Sequence, residues 1–141
     1  MNETSDPSQA LAKHWFQKAE NDLLNVRNNL QAEQYASDTV CFHCQQAAEK
    51  YLKGFLAWRQ MPFAKTHDLL ELLKWVRQVA GVDVERLSTY LLLLDPYSVS
   101  VRYPQEYEEE PDETEVQEAV EAAYAVRAWV RSRLGLEQNN A

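Results

Sequence analysis

Glycine is scarce, three in 141 residues, and long β-branched runs are missing, so little in the chain argues for a sheet. Only two cysteines occur, Cys41 and Cys44, too close together on one helix to staple a fold. In a reducing compartment they stay thiols. No apolar stretch approaches the roughly 18 residues of a membrane span. The first ten residues lack the basic and apolar regions of a secretory signal, so no membrane association is expected and the predicted location is the cytoplasm. A basic stripe is missing as well. The formal net charge is −8, but nine of the 22 acids lie between Glu106 and Glu121, where no base occurs, and the other 13 face 14 bases. The acidity is local, so it does not exclude a nucleic-acid partner, and charge alone does not argue for one.

What the chain does have is helical periodicity, in a length suited to one domain with a real core. The longest amphipathic run is 38–58. Val40, Cys44, Ala47, Ala48, Tyr51, Leu52 and Phe55 recur at steps of three and four and make one apolar stripe. Gln45, Gln46, Glu49, Lys50 and Lys53 fall on the other side. Gly54 costs the helix about 1 kcal/mol relative to Ala, which predicts a close approach by a neighbouring helix.

Before this run, Asp6 and Pro7 mark a helix start, followed by an apolar line of Leu11, Trp15, Ala19, Leu23, Val26 and Leu30. Asp22 lies beside that line and is expected to pair with a lysine of the next helix, Lys50. The short turn at 32–37 makes the two helices antiparallel neighbours. Pro62 breaks the pattern, Thr66 is the expected cap of a third helix, and Gly81 ends it. Val84, Leu87, Tyr90, Leu91 and Leu94 define a fourth, closed by Asp95 and Pro96. The stretch 97–111 has no helical stripe and reads as a long acidic loop. Asp112 and Glu115 then form a capping-box pattern ahead of a last helix on Val116, Val120, Ala123, Val126, Val130 and Leu134. The expected fold is therefore all-α, an up-and-down bundle of about five helices. It forms one domain over 1–141, with an ordered core at about 8–134.

Three short motifs stand in this frame: Gln-Gln-Ala-Ala-Glu-Lys-Tyr-Leu-Lys at 45–53, Thr66-His67-Asp68-Leu69, and Arg102-Tyr103-Pro104. Together, in this helix order, they resemble the HEPN domain (higher eukaryotes and prokaryotes nucleotide-binding) of bacteria and archaea over roughly 10–133. The resemblance implies a homodimer, often encoded beside a minimal nucleotidyltransferase and forming a toxin–antitoxin pair with it. It also implies, for many members, a metal-independent endoribonuclease built on an Arg followed closely by His. Other members have lost that pair and bind nucleotides or serve as partners. Here the positions with four, five and six residues intervening after Arg102 are Tyr107, Glu108 and Glu109, and none is His. Removing a 2′-hydroxyl proton needs a group titrating near neutrality, and an ordinary tyrosine titrates near 10. The expected protein binds without cleaving, and no catalytic residue is assigned.

The candidate ligand residues are Arg102, whose fork suits a phosphate, Tyr103 and Tyr97, which can stack on a base, and Lys50, Lys53 and His67. Each has a plainer reading: an ion pair with the following acids for Arg102, a helix–dimer interface for the tyrosines, a solvated face for the lysines, and a backbone-bonded cap histidine for His67. Cys41, His43 and Cys44 do not make a zinc site, since His43 points away from the thiols and two further ligands are wanting. No cofactor or metal is expected. The predicted ligand is a nucleotide or RNA phosphate, and the predicted partners are a second copy and a nucleotidyltransferase chain. An endoribonuclease using Arg102 with Tyr107 or another substituted base is the rival reading, and a structural adaptor without a small ligand is the third.

Overall fold

The computed structural model describes residues 6–81, 84–98 and 110–136. Among them are five α-helices and no strand: α1 Pro7–Gln31, α2 Ser37–Trp58, α3 Leu69–Ala80, α4 Val84–Leu94 and α5 Glu113–Arg133. A 3-10 turn, Asp95–Tyr97, follows α4. Asp6 caps the head of α1, and past the end of α5 the Leu136 N–H bonds back to the Arg131 carbonyl.

The helix ends follow from local chemistry. Asp6 accepts from Ser8 N–H, with Pro7 in the first turn where its missing N–H costs nothing. The Asp112–Glu115 capping box at the head of α5 is present with both of its bonds. Asp68, not Thr66, caps α3 by accepting from the N–H groups of Leu70 and Glu71. Thr66 stands one step back, and its hydroxyl accepts from Asp68 N–H and donates to Glu71. Gly81 closes α3 at φ 81°, where a side chain would be strained.

The contacts fix the directions. Phe16 stacks on Tyr51 and Trp58, while Asp22 reaches back to His43 and Lys50, so α1 and α2 run antiparallel. Arg27 meets Tyr124 and Glu20 meets Arg127, so α5 is antiparallel to α1 and parallel to α2. The α3–α4 hairpin packs against α2 and α5, and one apolar cluster runs through all five helices. The α2 stripe, from Val40 through Ala47 and Ala48 to Phe55, lies wholly buried at its centre.

Two expectations are corrected here. On α1 the buried line is Ala12, Phe16, Ala19, Leu23 and Val26, while Leu11 and Leu30 are exposed at 52% and 39%. The stripe is rotated because Phe16, rather than Trp15, is the knob facing α2. Gly54 is the matching hole: a Cβ there would lie 2.3 Å from Phe16 Cε1. The close approach predicted at Gly54 is thus made by an aromatic ring and not by backbone.

Candidate functional site

The polar side of α2 is largely covered rather than solvated. Gln45, Glu49 and Lys53, each one turn from the next, are 0%, 2% and 6% exposed. The 66–68 connection and α1 close over them. Burial of this kind is tolerated only with partners, and every one of these groups has them. Glu49 Oε2 accepts from Lys53 Nζ at 2.9 Å and lies 2.9 Å from His67 Nδ1. Gln45 Nε2 donates to the His67 carbonyl at 3.2 Å, and Gln46 Nε2 donates to Glu49 at 3.2 Å. Lys53 Nζ also stands 5.3 Å from the centre of the Trp15 ring. The His67 side chain is 74% exposed, so a buried carboxylate holds one ring nitrogen while the rest of the imidazole stands in solvent.

A second cluster lies one strip over on the same helix. Asp22 of α1 takes Lys50 Nζ on one carboxylate oxygen and His43 Nδ1 on the other, both at 2.7 Å. The Asp22–Lys50 pair is the one expected from the sequence. The solvated face that was the plainer reading of Lys50 and Lys53 is not what the structure has. Lys53 is buried on Glu49, and Lys50 is mostly covered, because α1 and the connection before α3 pack on both flanks of α2. Gln46 belongs to the first cluster, donating to both Gln45 and Glu49.

Tyr97 is half-buried and hydrogen-bonds Cys41, so its polar end is engaged inside this chain. Burial pushes the Cys41 thiol up to about 11 and the Cys44 thiol higher still, which makes both poor nucleophiles and poor metal ligands. His43 turns to Asp22, away from them. Among the described residues no group of three or more His, Cys, Asp or Glu is placed to hold a metal ion. Asp95 lies beside Asp68 and Leu69; burial, then the Asp68 charge, raise its carboxyl above the ordinary value.

The Tyr97–Cys41 and Asp95–Leu69 contacts set the 3-10 turn against the N-terminal half of α2 and the head of α3. On the far side of 99–109, Glu110 lies 3.4 Å from the Ser37 hydroxyl at the first residue of α2. Arg102, Tyr103 and Tyr107 fall outside the described residues. The structure thus brings Lys53 and His67 onto one polar stripe with Glu49 and Gln45, which sequence reasoning had not placed together there, with Tyr97 at its end, and puts Lys50 in the neighbouring Asp22 cluster. A signal for this was present: Gln45, Glu49 and Lys53 at i, i+4 and i+8 form a straight polar line of a kind that pairs internally.

A third polar cluster ties the helices elsewhere. Glu20 of α1 accepts from the Tyr51 hydroxyl and from Arg127 Nε, the latter at 2.7 Å. Burial raises the Glu20 carboxyl, but the bonds from Arg127 and Tyr51 outweigh it and leave it below the ordinary value.

The sequence profile of the HEPN domain matches residues 12–133. TT1696 from Thermus thermophilus is similar in structure, with TM-score 0.69 and 30% identity over 86% of this chain and 97% of that one. ST0689, an archaeal HEPN homologue, shares the fold, with TM-score 0.67 and 23% identity over 87% and 97%. Among curated proteins there is no match.

Proposed function

Since the chain belongs to the HEPN domain family, we propose that it is a dimeric HEPN protein that binds a nucleotide or RNA phosphate without cleaving it and partners a nucleotidyltransferase chain. The observation that carries this reading is the siting of the α2 polar stripe. Both flanks of 99–109 abut the N-terminal half of the helix that carries it, one at Cys41 and the other at Ser37. Arg102 is four residues from Ser98, a tether of at most about 14 Å. An arginine fork on so short a leash from the Tyr97–Cys41 contact is suited to phosphate oxygens. The absence of His at 107, 108 and 109 removes the base that the family's ribonucleases use.

Fluorescence anisotropy with a labelled structured RNA tests the binding. The expected result is saturable binding that weakens as salt rises and is lost in Arg102→Ala. A nucleotide at 100 times its dissociation constant should add about 2.7 kcal/mol to stability. A thermal shift with a nucleotide that Arg102→Ala removes therefore separates this reading from that of an adaptor without a ligand at this site.

One observation favours the ribonuclease reading: the Glu49–His67 couple. An exposed imidazole oriented by a buried carboxylate has the form of a positioned general base. In that case His67, and not Tyr107, takes the 2′-hydroxyl proton, and cleavage disappears in both His67→Ala and Arg102→Ala.

A further inference from the structure

The groove between α4 and the last turns of α5 lies at the other end of the α3–α4 hairpin from His67. It encloses about 320 Å³, within the range of small-ligand sites. Leu87 forms part of its floor, Tyr90 and Trp129 supply rings, and Arg86, Ser132 and Arg133 supply polar groups. The Trp129 ring is held on two sides, 5.2 Å from Phe55 edge-on and 4.8 Å from the Arg133 guanidinium. That wall is rigid and already carries a cation.

The charge of this groove runs against that of the chain. Two arginines line it and no carboxylate does, although acids outnumber bases 22 to 14. After Glu121, α5 holds Arg127, Arg131 and Arg133 and no acid. The helix dipole accounts for cations in the last turn of α5. It does not account for Arg86, the third residue of α4, where the dipole disfavours a positive charge. The adjacent Glu85 is engaged by Arg77 at 3.1 Å, and among the described residues Arg86 has no ion pair. A locally unfavourable cation with no ion pair among the described residues, beside a cavity lined by donors and rings, fits an anionic ligand with a flat body.

We propose that this groove is a second ligand site, which takes a phosphate monoester carried on a heteroaromatic ring, of the size of a nucleoside monophosphate. Arg86 and Arg133 bind the phosphate, and Tyr90 and Trp129 flank the ring. The site shares no residue with the α2 stripe and stands or falls independently of the reading above.

Isothermal titration of the full chain with AMP, adenosine and inorganic phosphate tests it. The expected result is saturable AMP binding, with adenosine and phosphate each at least about tenfold weaker, since losing a charge-assisted bond costs about that factor. Arg86→Ala should weaken AMP at this site by a similar factor, Ala128→Phe should block the groove, and the AMP component lost in these two variants should persist in Arg102→Ala. Arg86 and Ala128 are both exposed, so their variants should keep the wild-type melting temperature. The proposal is overturned if AMP fails to saturate in the millimolar range or binds equally well to Arg86→Ala and Ala128→Phe. It is also overturned if adenosine or phosphate matches AMP, or if Arg102→Ala alone removes binding.

Discussion

Phe16 and Gly54 show how much one missing Cβ decides. The Phe16 ring fills the space over Gly54 and is stacked on Tyr51 at 5.2 Å and against Trp58 at 6.5 Å, so it has no free direction in which to swing. Gly54→Ala gains helix propensity, about 1 kcal/mol, but overpacks this contact at a cost of about 1–3 kcal/mol. We expect net destabilisation, read as a lower urea midpoint at unchanged slope; a rise would mean the ring relocates freely. The thiols give a second check at this scale. With Cys41 pushed up to about 11, roughly one molecule in a thousand carries its thiolate at pH 8. Neither cysteine should react with a thiol reagent in native buffer, and both should react at once in denaturant. The Gly54 position was legible in the sequence as an anomaly, but the identity of its neighbour was not. Trp15 and Phe16 are adjacent large aromatics, and periodicity alone does not decide which of two such residues turns inward.

At the level of elements, α2 is held to α1 and α5 by the Glu20–Tyr51–Arg127 cluster. Because its partners leave the Glu20 carboxyl below its ordinary 4.5, this cluster contributes stability that is full above that pH and is lost as pH falls through the depressed value. Replacing Arg127 by Met should therefore cost about 1–2 kcal/mol at pH 7 and much less at pH 3, measured by urea unfolding at both pH values. An equal cost at the two would show that Arg127 acts through packing alone. Asp112→Ala should cost about 1 kcal/mol by removing the α5 cap. Helix order, helix ends and the α2 stripe could be read from the chain because each rests on local spacing, capping residues and breakers. The burial of Gln45, Glu49 and Lys53 could not. It depends on α1 and the 66–68 connection closing over the same helix from two sides, which is a fact of tertiary packing. Asp22 with Lys50 was readable because the short 32–37 turn fixes how α1 lies on α2. His43 as the second partner was not, since nothing local distinguishes it from a surface histidine.

The molecule as a whole is a HEPN bundle in which both flanks of the segment carrying Arg102 meet the helix that bears the polar stripe. Light scattering should give twice the chain mass, 16.4 kDa, and the monomer mass would remove the dimer from the proposal. In the proposed function this bundle holds RNA phosphate and leaves it whole. The most direct measurement follows one labelled structured RNA by anisotropy and by denaturing gel in the same tube, with wild type, Arg102→Ala and His67→Ala. The account predicts salt-sensitive binding that Arg102→Ala abolishes, with full-length RNA in every lane. Shortened RNA with wild type that becomes intact with His67→Ala would contradict it and make the Glu49-held imidazole the catalyst.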